Sequence, residues 1–176
     1  MNKIIILLVI TFILIVTLTS CNSERPLEKA LKDIEENHPQ TIKLSDYTNF
    51  KWDEVWLISG SISGLYITLM REQNIDVKKV EFSDENPDFG IAQHLSNTVA
   101  YVYNKKVVYY EFPPDNRDRE FSLLGFVEPY ALLDFNLERG QIIVVSSNNS
   151  EFEVKDKTLI PIKPIKIYEN MDKKLK

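Results

Sequence analysis

The chain has 176 residues, a formal net charge of −5, 44% hydrophobic residues and a single cysteine. Fourteen of the hydrophobic residues fall within residues 1–20, and without them the remaining 156 are about 40% hydrophobic and carry a net charge of −6, ordinary for a globular domain. These figures exclude a polytopic membrane protein, a disordered chain, a collagen-like repeat and a disulfide scaffold, and an overall acidic domain argues against nucleic acid as a partner.

Met1-Asn2-Lys3 is a short basic start, residues 4–18 are an almost unbroken apolar run, and Leu18-Thr19-Ser20-Cys21 follows. This basic, apolar, small-residue order is that of a signal peptide. Leu18-Thr19-Ser20-Cys21 resembles the lipobox of bacterial lipoproteins, in which a hydrophobic residue and two small residues precede a cysteine. The resemblance covers residues 1–21. It implies cleavage between Ser20 and Cys21, acyl chains on the Cys21 sulfur and often a further one on the new amino terminus. It also implies a location on the outer face of a bacterial cell membrane. A single acyl chain holds a protein only reversibly, so two or three are needed for durable attachment. The alternative is an uncleaved spanning helix over residues 4–20. Its 17 residues sit at the lower edge of the roughly 17–25 that span a bilayer, with no Lys/Arg cluster after them. With Cys21 acylated, the mature domain keeps no thiol for a disulfide, a nucleophile or a metal.

The mature chain begins with a helix rather than a long tether. Ser23 is the expected N-cap and Pro26 falls in the first turn, while Leu27, Ala30, Leu31 and Ile34 form one apolar stripe ended by Asn37-His38-Pro39. From residue 41 the period shortens. Ile42 and Leu44 alternate with polar neighbours, Asp46 to Asn49 reads as a turn, and residues 52–58 read as a strand. That strand puts Trp52, Glu54, Trp56 and Ile58 on one side, with Val55 and Leu57 on the other. Gly60–Gly64 is a loop, residues 65–73 a helix, and Val77–Phe82 a strand.

Val99–Tyr103 and Lys106–Phe112 form a hairpin around Asn104-Lys105. A regular register pairs Tyr103 with Lys106, Tyr101 with Val108 and Val99 with Tyr110. Both of its faces are apolar, which predicts a place inside a sheet covered on each side. Pro113-Pro114 ends the hairpin, a charged loop follows, and a short helix is expected at Pro129–Phe135. Gln141–Val145, Glu151–Lys155 and Thr158–Ile162 read as further strands. The fold class is therefore α+β, a small, mainly antiparallel sheet with one or two helices. The expected organisation is a signal peptide at 1–20, one lipid-anchored domain at 21–165 and a polar tail at 166–176. Residues 50–58, the Thr-containing approach at 41–49 and the Tyr-rich hairpin loosely resemble a broad group of small bacterial lipoproteins and secreted proteins with a Trp-Asp strand. That resemblance implies fold and location, and no catalytic residue.

The chemistry-bearing residues do not assemble into a recognised motif. Gly60-Ser61-Ile62-Ser63-Gly64 has Ile62 where a nucleophile elbow needs serine, and no Lys-Ser/Thr follows as in a phosphate loop. The Asp84–Asp88 stretch spaces oxygen ligands as a calcium loop does, but Phe89 and Leu95 occupy the positions of the required Gly and Glu. His38 and His94 are the only histidines and stand alone. Asp53 and Glu54 are neighbours on a strand and point to opposite faces, so they cannot flank one bond; Asp53 is expected to bond neighbouring backbone. Tyr101, Tyr103, Tyr109 and Tyr110 suit either core packing or ring stacking with a ligand. The expectation is a non-enzymatic, membrane-anchored envelope domain that needs no cofactor or metal and binds a partner, such as an envelope protein, or a ligand near the membrane. Its alternatives are a self-protection or inhibitor lipoprotein, whose acidic domain complements a basic lytic enzyme or toxin, and a hydrolase using His94 and the Gly60–Gly64 loop.

Overall fold

The computed structural model describes residues 25–59, 65–78, 97–114 and 132–169. Ser20, Cys21, the Gly60–Gly64 loop, Asp84–Gly90 and His94 lie outside them.

Helix α1 (Pro26–Asn37) starts where the fixed φ of proline is already helical, with Arg25 rather than Ser23 as its N-cap. The Glu28 carboxylate turns back to accept the Arg25 backbone N–H at 3.1 Å and the Arg25 guanidinium at 2.7 Å, which satisfies groups a helix start leaves unpaired. At the other end His38 takes a left-handed conformation (φ 49°), and its N–H bonds the Ile34 carbonyl. Leu27, Ala30, Leu31 and Ile34 are buried, as their spacing requires.

Among the described residues eight strands follow: β1 (Thr41–Lys43), β2 (Glu54–Ile58), β3 (Thr98–Tyr103), β4 (Lys106–Glu111), β5 (Ile142–Ser146), β6 (Glu151–Lys155), β7 (Thr158–Pro161) and β8 (Lys166–Tyr168). They form two antiparallel sheets, one of order β4-β3-β2-β5-β8 and a smaller one of order β1-β6-β7. Helix α2 (Leu65–Glu72) is the second described helix. The fold is α+β with mainly antiparallel sheets. Two hairpin turns, at Asn104-Lys105 and Asp156-Lys157, have positive φ at both central residues, the twist that lets two-residue loops join neighbouring strands.

The three central strands of the five-stranded sheet, β3, β2 and β5, are buried on both faces. On one side Val55, Leu57, Val99, Tyr101 and Val145 meet α1 and the small sheet, through residues such as Phe152 and Leu159. On the other, Trp56, Ile58, Ala100, Val102 and Val144 lie against Tyr66, Leu69 and Met70 of α2. Trp52 joins the α1 side, not the side of Trp56. The ladder begins only at Glu54, so strand alternation does not extend back to it. Polar ties fix α1 on its sheet: Tyr47 donates to Asp33, and Lys157 in the β6–β7 turn pairs with Glu35.

Further expectations are corrected. The hairpin carries a bulge. Tyr103 faces Lys106 and Val102 faces Val107, but Val108 is then an extra residue, so Tyr101 faces Tyr109 and Val99 faces Glu111. Its strand β3 lies inside the sheet, while β4 is an edge. Val77 and Lys78, the described part of the expected 77–82 strand, belong to no strand, and the nearby pairing is an isolated bridge of Asp76 with Lys106. Residues 132–135 are not helical because their backbone is engaged elsewhere: Leu132 N–H bonds the Pro114 carbonyl and Asp134 bridges Thr158. Lys166–Tyr168, at the start of the expected tail, pairs with β5.

Candidate functional site

The bulge at Val108 decides which side of β4 meets α1. With the extra residue, Glu111 shares the α1 face with Tyr101 and Val99, a position that a regular hairpin gives to Tyr110. Glu111 is 3% exposed. One carboxylate oxygen accepts the Tyr101 hydroxyl at 2.9 Å, and the other accepts the Leu27 backbone N–H at 3.2 Å. Leu27 is in the first turn of α1, so the acid from β4 caps the helix on which the N-terminal segment ends, at its positive dipole end.

Burial pushes the Glu111 carboxyl up to about 7, against the bonds from Tyr101 and Leu27 and the nearby Arg25 charge, which favour ionisation. The groups around it share this environment. Burial raises Tyr101 well above the usual phenol range and raises Tyr109, with the Glu111 charge adding to both. Glu28 is lowered, chiefly by its bond from Arg25, and Arg25 is raised by the same bond. The result is a buried acid that changes charge near neutrality, with a helix start, two phenols and an ion pair as its neighbours. Chemically it can hold or release a proton. Both of its oxygens already tie β4 and β3 to α1, so its work is to join elements.

The tyrosines of the hairpin divide between core and rim. Tyr101 is fully buried, edge-on to Phe50 (5.2 Å) and Trp52 (5.6 Å), with Tyr109 at 5.9 Å. Tyr103, Tyr109 and Tyr110 are half-buried. Ring packing within the fold thus uses Tyr101 and Tyr109, two of the four tyrosines that also suited a stacked ligand. The Tyr66 hydroxyl, on the opposite face, is buried with no partner among the described residues, and burial raises it.

Asp53, just before β2, and Glu54, its first residue, serve different neighbours. The Asp53 carboxylate accepts the Asn104 backbone N–H at 2.8 Å and braces the hairpin turn, whereas Glu54 accepts the Trp56 indole N–H at 3.2 Å. His38 is exposed at the end of α1. Among the described residues no three His, Cys, Asp or Glu side chains gather as a metal site would need. Nor is any described helix long and apolar enough to cross a membrane. Sequence reading missed Glu111 because its significance depends on the bulge. The signal present was a lone acid ending an apolar, Tyr-rich strand. No protein-family model matches the chain, and no curated protein or solved structure matches it.

Proposed function

We propose that the chain is a bacterial lipoprotein of the cell envelope, whose acylated Cys21 tethers a non-catalytic α+β domain that binds a protein partner at the membrane surface. The carrying observation is the sequence Leu18-Thr19-Ser20-Cys21 at the end of an apolar run, with a docked helix beginning at Pro26, five residues later. So short a connection holds the domain close to the lipid. In support of a binding role, the buried acid Glu111 has both oxygens engaged in holding the fold, and Asp53 and Glu54 serve different neighbours.

Metabolic labelling with a fatty acid tests the anchor. Label enters the wild-type chain and is absent from Cys21→Ala; label kept by the variant overturns the proposal. The second reading, an inhibitor of a lytic enzyme, is favoured by the net charge of −6 after residue 20. Crosslinking of the anchored protein in membranes followed by capture separates the two. A basic hydrolase recovered in a salt-sensitive complex supports inhibition, and an envelope protein without lytic activity supports the first reading.

A further inference from the structure

The chain has its largest exposed apolar side chains, among the described residues, in one short segment. Ile162, Ile165 and Ile167 are 45%, 44% and 51% exposed. They alternate with Lys163 and Lys166, both exposed, and these lysines are the only charges between Ile162 and Tyr168. In a chain of net charge −5 this is a local reversal of sign on an apolar strip.

The segment is poorly made for pairing with another strand. It holds β8, only three residues long, at the edge of the five-stranded sheet, with Pro161, Pro164 and Lys166 along it. Short length, proline and lysine are features that block edge-to-edge addition. What remains available is the side-chain surface, apolar with cationic flanks, which is the composition of elements that lie in a membrane interface.

Position in the fold supports the same occupant. The pairings Val99–Glu111, Ile58–Thr98, Ile58–Ile142 and Ile142–Tyr168 put Glu111 and Tyr168 at one end of the sheet. Glu111 holds the start of α1 there through Leu27 N–H. Ile165 and Ile167 therefore lie within about 10 Å of that end, at about 3.3 Å per residue. The strip is four strands across from β4, a lateral offset of about 19 Å at about 4.8 Å per strand. Cys21 precedes Arg25 by four residues, a reach of at most about 14 Å. A domain tethered through Cys21 with this end toward the bilayer brings the strip to the same surface at a second point.

We infer that the Ile162–Ile167 strip is a membrane-docking surface that rests on anionic lipid headgroups, so that the domain contacts the bilayer both through its tether and through the β8 edge. This rests on the lipid-anchor reading and adds an orientation to it.

The test uses the acylated protein in vesicles. Because Cys21 is the only native cysteine and is blocked by acylation, Ile167→Cys gives a single thiol for a nitrobenzoxadiazole label, and Lys43→Cys, exposed on the small sheet, gives a reference position. Flotation with vesicles reports the anchor, and label emission reports docking. Vesicles containing phosphatidylglycerol should blue-shift and brighten the label at 167 but not at 43. Pure phosphatidylcholine should give less, and added salt or Lys163→Glu with Lys166→Glu should remove the difference. Protein that floats with an unchanged label at 167 overturns the docking surface alone. Protein that does not float overturns the anchor and the docking surface with it. A shift that grows with protein density at fixed lipid composition assigns the strip to contact between chains and also overturns the inference.

Discussion

A carboxyl group taken out of water loses hydration that only its ionised form needs, so burial raises the pH at which Glu111 gives up its proton. In the unfolded chain this group titrates at about 4.5, and in the fold at about 7. Below 4.5 both states are protonated and its contribution to stability is fully present. Between 4.5 and 7 the unfolded chain releases the proton while the folded one keeps it, so the contribution falls as pH rises, and above 7 it is gone. The full span amounts to about 3 kcal/mol on linkage arithmetic. Glu28, whose pKa is lowered, acts with the opposite sign and at lower pH. Glu111→Gln keeps a neutral group that can accept from Leu27 N–H and face the Tyr101 hydroxyl. Urea unfolding at pH 5 and pH 8 should show the variant gaining on the wild type by about 1–3 kcal/mol over that interval. A stability difference independent of pH would place the titration elsewhere.

At the scale of elements, pattern and turn chemistry carried most of the fold, and irregularity carried what they missed. The 3.6-residue period of Leu27, Ala30, Leu31 and Ile34 was legible because an amphipathic helix writes its buried face directly into its spacing. So was the Asn104-Lys105 turn. The register beyond it was not, because one inserted residue reverses the facing of everything after it, and nothing local to Val108 marks it as the extra one. That is why Glu111 could not be picked out as a site residue. Strand β8 was illegible for a different reason: Lys166 and the Lys163-Pro164 before it read as a solvated tail, yet Ile167 and Tyr168 still pair with Ile143 and Ile142. The bulge yields a specific expectation. Deleting Val108 leaves Tyr109 opposite Tyr101 and Glu111 opposite Val99 in a regular ladder. The shortened chain should fold, lose about 1–2 kcal/mol for the half-buried valine, and keep the pH dependence of Glu111. Loss of that pH dependence, measured by the same pair of urea curves, would mean that the bulge itself holds the acid against α1.

Across the whole molecule, one sheet separates two apolar layers, and both depend on strands contributed from distant parts of the chain. Central β2 pairs with β3 and β5, and β8 closes the β5 side. The last described strand matters out of proportion to its three residues. Tyr168 stacks on Trp56 at 5.9 Å with the rings 19° from parallel, covering an indole that is 1% exposed in the α2 layer. Ile167 lies beside Ile143 in the other layer. Removing residues 166–176 therefore uncovers both layers at one edge. The loss should be about 2–3 kcal/mol, from the aromatic pair and the apolar area of one partly buried side chain. Tryptophan emission should shift to the red as Trp56 meets water. Removing residues 170–176 alone leaves β8 and Tyr168 in place, so the urea midpoint and emission should match the full chain. Equal effects of the two truncations would show that the terminal seven residues, not β8, support this edge. A red shift confined to the longer truncation would fix the domain boundary at Tyr168 and tie the stability of the α2 layer to the same segment that carries the exposed isoleucines.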